Sequence, residues 1–152
     1  EKLDLANLPD DLGTMYVASL DANQPQFRRV FETMAAQPDG TVLFHCTAGK
    51  DRTGMVAALL LSLAGVPRSD IVHDYAISAR YLEPMMRISP QMATMARQNP
   101  KIIALRGSPA ESIEAFLDAL ERRHGGAQAY LRKIGVSDAD IGRLMARLGQ
   151  AN

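Results

Sequence analysis

Residues 41–54 read Thr41-Val42-Leu43-Phe44-His45-Cys46-Thr47-Ala48-Gly49-Lys50-Asp51-Arg52-Thr53-Gly54, and their character changes twice. The first five are β-branched, aromatic and apolar, the composition of a short strand buried on both faces. Residues 53–64 are nearly all strong helix formers, and Gly65 stands where a left-handed C-terminal cap belongs. Residues 46–52 then form a tight loop between a buried strand and the N-terminus of a buried helix.

Such a loop can turn its backbone N–H groups inward and make a concave nest at the positive end of the helix dipole, a fit for a tetrahedral phosphate. Thr47, Ala48, Gly49 and Lys50 are its candidate binding residues. A thiol at its start feels the same potential, reinforced by Arg52, so Cys46 is expected to ionise near neutral pH. Arg52 offers a planar fork for two phosphate oxygens, which lysine cannot match. Gly49 permits a positive φ, the Thr53 hydroxyl can donate to the Cys46 sulfur, and His45 is read as orienting the loop. The expected reaction has two steps: Cys46 takes a phosphoryl group, and water removes it.

Outward from the loop, 152 residues that are 47% hydrophobic and 22% charged fit one globular domain over residues 1–152. Seventeen basic and 17 acidic residues cancel, so no global field draws the chain to nucleic acid or to an anionic membrane. The single cysteine cannot form an internal disulfide, and the three histidines lack zinc-ligand spacing. No metal or cofactor is expected. The longest apolar run falls far below the roughly 20 residues of a membrane span.

Apolar positions at helical spacing predict a helix over residues 26–37, stopped by Pro38-Asp39-Gly40. Ser69 is expected to cap a helix running to Glu83, before Pro84, and Ser89-Pro90 to open another ending near Asn99-Pro100. Ser108-Pro109 starts a helix with Ile113, Phe116, Leu117 and Leu120 on one face, closed by Gly125-Gly126. A helix over residues 127–134, Gly135, and a capping box at Ser137 before residues 141–148 complete a helical C-terminal half. A buried parallel strand needs neighbours. Either residues 15–20 and 102–105 are extended too, or the chain lacks N-terminal strands, the reading preferred here.

The motif HCTAGKDRTG resembles the signature of the protein tyrosine phosphatase superfamily, and its AGKDRTG part that of the bacterial and fungal tyrosine phosphatases related to mycobacterial PtpB. Val72-His73-Asp74-Tyr75 and residues 130–136 are similar to that family as well. The resemblance implies an α/β fold with a parallel sheet flanked by helices and metal-free dephosphorylation. It further implies phosphotyrosine, phosphoserine, phosphothreonine or phosphoinositide substrates, with Lys50 able to meet extra inositol phosphates. It makes Asp51 the acid that protonates the leaving oxygen; the alternative reading of Lys50 and Asp51 is that they pair with each other or cap the helix. Asp10 and Asp11, 36 and 35 positions before Cys46, fit the alternative of an upstream acid. The Met-rich residues 85–95 are read as core packing, with a lid over the site as the second reading. A bacterial protein, cytoplasmic or secreted, is expected, its oligomeric state open. The competing functions are a phosphate-binding pseudophosphatase without turnover and a rhodanese-like sulfurtransferase.

Overall fold

The computed structural model describes residues 11–37, 39–88, 90, 94, 97 and 107–149, with the backbone alone at 85–88. Its elements are α1 (Leu12–Ala22), α2 (Gln24–Ala35), α3 (Asp51–Leu63), α4 (Arg68–Ala76), α5 (Ser78–Ile88), α6 (Ala110–His124), α7 (Ala127–Lys133) and α8 (Asp138–Arg147).

Helix α6 is the centre of the packing. Its stripe of Ile113, Phe116, Leu117 and Leu120 is buried as its spacing predicts, and it lies against α1, α3, α4 and α7. Each such fully buried side chain contributes about 1.5–3 kcal/mol. Gly125, at φ 73°, ends the helix by turning its N–H back to the Glu121 carbonyl, as a glycine in the left-handed region can. Along α1 the approach is close: a Cβ on Gly13 would stand 3.3 Å from the Ala115 methyl. The C-terminal hairpin is tied on by the buried Tyr130 hydroxyl, which donates to the Leu20 carbonyl at 2.8 Å. Ser137 caps α8 as expected, accepting from the Asp140 N–H.

Several expectations are corrected. Residues 15–20 are helical, inside α1, because Asp11 supplies an N-cap. The helix expected to run from Ser69 to Glu83 breaks at Ile77 instead, and Pro84 sits inside α5. Tertiary structure makes that break: Ser108 Oγ donates to the Ala76 carbonyl, while the Arg80 N–H turns to Ile77. Ser69 is no cap; Pro67 holds that position. The segment 41–46 has no regular secondary structure, and no strand occurs among the described residues. It is not buried on both faces: Val42 and Phe44 pack on the core, whereas Leu43 is 86% exposed. A strand buries its second face only against another layer, and none among the described residues covers it. The helix expected over residues 90–99 and the extended stretch 102–105 lie outside the described residues.

Arginines of α8 fix where this segment starts. Arg143 donates to the Ala35 carbonyl at the end of α2, and Arg147 to the carbonyls of Gln37 and Gly40. These cations meet the negative end of the α2 dipole and the turn that follows it. The segment thus enters the loop at Cys46 from an anchored base.

Candidate active site

Helix α3 begins at Asp51, so Asp51 and Arg52 form its first turn rather than the end of the loop. Lys50 at the N-cap makes no side-chain cap, which leaves the first N–H groups of α3 directed at the loop. Gly49 takes φ 67°, a left-handed turn that bends the chain back on itself. The result is a nest around one atom. The backbone N–H groups of Thr53, Lys50 and Ala48 converge on the Cys46 sulfur, with the Thr53 hydroxyl beside them.

Partial burial of the Cys46 thiol pushes its pKa up, and the donors outweigh it. The nearby Thr53 hydroxyl, then the N–H groups of Thr53, Lys50 and Ala48, bring it down to about 6. The expected lowering is therefore found, but the nest carries it and not chiefly Arg52. That guanidinium is exposed and donates to Thr47 Oγ1 at 3.0 Å. Thr53 Oγ1 is buried and has no partner of ordinary geometry in the resting loop, yet it stands near enough to the sulfur to stabilise the thiolate.

A measurable consequence follows from the sign of this shift. Because the thiolate is the reactive form, alkylation by iodoacetate is expected to be fast above pH ~6 and to fall as pH drops through that value. Thr53→Ala should move the midpoint upward. A wild-type midpoint at the ordinary thiol pKa of roughly 8.5 would show that the nest does not act on the sulfur.

His45 Nδ1 lies 3.1 Å from the Cys46 carbonyl oxygen. For Lys50 the alternative of pairing with Asp51 is the one seen. Its residue is 4% exposed, and its ammonium donates to the Gly107 carbonyl and pairs with Asp51 Oδ1 at 3.0 Å. Placed so, the side chain does not offer itself to phosphates at the mouth of the loop; its backbone N–H does face the sulfur. Asp51 Oδ1 also accepts from the Tyr16 hydroxyl at 2.5 Å.

Asp11 does not fit the alternative acid. The Thr14 N–H at 2.7 Å and the Thr14 hydroxyl at 2.8 Å hold its carboxyl below the usual range, as an N-cap. Asp10 lies outside the described residues, as do Met92 and Met95 of the suggested lid.

Tyr16 was not legible as a site residue, whereas Tyr75 reads from the sequence as a structural residue bracing the loop from behind. Tyr16 of α1 and Tyr75 of α4 are both buried, with hydroxyl oxygens 2.7 Å apart, and join Asp51 to the core. Tyr75 also lies against Gly54, where a Cβ would meet its ring at 2.8 Å. Gly54→Ala is expected to destabilise the protein by about 1–3 kcal/mol, read from urea unfolding, because the ring is buried and must shift. An unchanged unfolding midpoint would show that the ring has room to move.

A cavity of about 660 Å³ lies elsewhere, between α2 and residues 39–44, and Leu43 and Phe44 line it. A second, of about 440 Å³, is bounded by Val42, Phe44, Leu60 and Leu144. Both flank the unpaired segment, and Cys46 lines neither.

Comparison with known proteins gives concordant results. The model of the tyrosine phosphatase family matches residues 2–150. A tyrosine-protein phosphatase of Nostoc commune is 49% identical over 161 residues, covering 99% of this chain and 55% of its own. The triple specificity protein phosphatase PtpB of Mycobacterium tuberculosis is 34% identical over 136 residues, covering 80% of this chain and 48% of its own. The chain thus spans about half the length of these curated relatives.

Proposed function

Since this chain belongs to the tyrosine phosphatase family, we propose that it hydrolyses phosphate monoesters through a cysteinyl-phosphate intermediate. One observation carries the reading: three backbone N–H groups and a hydroxyl converge on a single sulfur at an uncapped helix N-terminus, with an arginine beside them. The Cys46 thiolate attacks phosphorus as the P–O bond to the leaving group breaks, and the leaving oxygen takes a proton from Asp51. Water then attacks the phosphorus of the intermediate, giving its proton back to Asp51. The P–S bond breaks, inorganic phosphate leaves, and the thiolate returns to the nest. Arg52 follows the equatorial oxygens as the phosphoryl group flattens, and the N–H groups of Ala48 and Lys50 meet them from below.

Phosphotyrosine is the first substrate class we assign, with phosphoserine, phosphothreonine and phosphoinositides as further ones. For phosphoinositides the support is weaker, because the Lys50 ammonium is taken up by Gly107 and Asp51. Family membership also implies an α/β architecture, and residues 41–45, grooved on both flanks, are the segment that a sheet would take up.

The test is release of phosphate by the reduced protein, in EDTA, from para-nitrophenyl phosphate, a phosphotyrosine peptide and a monophosphorylated phosphoinositide. Turnover is expected on the first two. Saturable binding of the phosphopeptide without turnover would replace the enzyme by a phosphate-recognising module.

A further inference from the structure

Three helices meet at one carboxylate. Tyr16 from α1 donates to Asp51 Oδ1 on the first turn of α3, and Tyr75 from α4 stands behind it, the two rings edge to face with centroids 5.9 Å apart. Lys50 Nζ reaches that same oxygen, Oδ1, and is itself held by the Gly107 carbonyl. Both phenols are nearly inaccessible, Tyr16 at 0% and Tyr75 at 3% exposure. Phenylalanine would fill the same volume without burying a hydroxyl, so packing alone does not account for either oxygen.

The direction of donation is determined by valence. A tyrosine hydroxyl has one proton to give. The proton of Tyr16 goes to Asp51, so the Tyr75 proton goes to Tyr16. Burial, first, and the bonds to Asp51 and Tyr75 hold the Tyr16 phenol far above the range in which it could ionise, and burial pushes Tyr75 up to about 12. Both remain neutral donors throughout the working range of a phosphatase.

We propose that Tyr16, held by Tyr75, is a positioning residue for Asp51: together with Lys50 it occupies Oδ1, so that Oδ2 is the oxygen that carries and delivers the catalytic proton. This rests on the reading of Asp51 as the acid. In the protonated carboxyl the oxygen that accepts two donors is the carbonyl oxygen, and the hydrogen resides on the other. When the ester P–O bond breaks, the Oδ2–H bond breaks with it and the proton passes to the leaving oxygen. The negative charge left on Asp51 is met at Oδ1 by Tyr16 and Lys50 without any movement. In the second step Oδ2 takes the proton back from water.

A proton donor matters in proportion to the basicity of the leaving group, and this separates positioning of the acid from general loss of structure. The experiment measures kcat/KM for the wild type, Tyr16→Phe, Tyr75→Phe, Asp51→Asn and Cys46→Ser on aryl phosphates from 2,4-dinitrophenyl to unsubstituted phenyl. Asp51→Asn is expected to lose about 10²–10³ on phenyl phosphate and less than about threefold on the dinitrophenyl ester. Tyr16→Phe should show the same slope at roughly tenfold or more on phenyl phosphate. Tyr75→Phe, which leaves Asp51 untouched, should show it more weakly. Equal loss by Tyr16→Phe on every ester, or no loss, while Asp51→Asn keeps its slope, overturns the positioning role alone. A flat Asp51→Asn profile removes Asp51 as the acid and the proposal with it. Undiminished activity in Cys46→Ser removes the phosphatase mechanism itself.

Discussion

Cys46→Ser is expected to lower kcat on para-nitrophenyl phosphate by about four orders of magnitude or more, while binding of tungstate, a phosphate mimic, stays within a fewfold of wild type. The nest explains both halves. Its donors shift the ionisation of a thiol to about 6, enough to make the thiolate dominant at pH 7. An alcohol ionises so far above a thiol that the same stabilisation leaves it protonated. His45 does not serve as its base, since its Nδ1 is engaged with the Cys46 carbonyl. The N–H groups and Arg52 that hold the anion are unchanged by the substitution. Retention of more than a few per cent of activity would mean that the nucleophile is another group.

Arg52→Lys is expected to cost about 10²–10³ in kcat/KM, or roughly 3–4 kcal/mol of transition-state stabilisation, although the charge is conserved. The loss is geometric. A guanidinium braced on Thr47 Oγ1 presents the rest of its fork in a fixed plane, and an ammonium has neither the plane nor the second donor direction. Because the nest carries the shift at Cys46, the alkylation midpoint should stay near 6 in this variant. A midpoint that rises in step with the lost activity would return to Arg52 the electrostatic role that the nest holds here.

The readings that held were local ones. The loop is seven consecutive residues, its donors lie within seven positions of Cys46, and the turn at Gly49 needs nothing from the remainder of the chain. Helices α2, α6 and α8 followed from apolar spacing and caps for the same reason: the hydrogen bonds that make them span three or four residues. Residues 41–45 are unpaired among the described residues and Leu43 is bare on one face, because burial of that face depends on a neighbouring layer, which no local pattern supplies. The helix from Ser69 broke early because Ser108, 32 positions beyond Ala76, took up a carbonyl that a continuous helix would have used.

By itself, then, the sequence determined the family and the loop of backbone donors around Cys46, since such a loop is made by neighbouring peptide groups whose directions depend on local φ and ψ. Only the tertiary structure decided where the side chains of that loop point. The Lys50 ammonium is turned inward by a carbonyl 57 positions away, and the Asp51 carboxyl is gripped by a tyrosine 35 positions before it. Tyr75 reaches Tyr16 across 59 positions. Such contacts exist only after α1, α3 and α4 have packed around a common core, and no periodicity in the chain encodes which hydroxyl will meet which carboxylate.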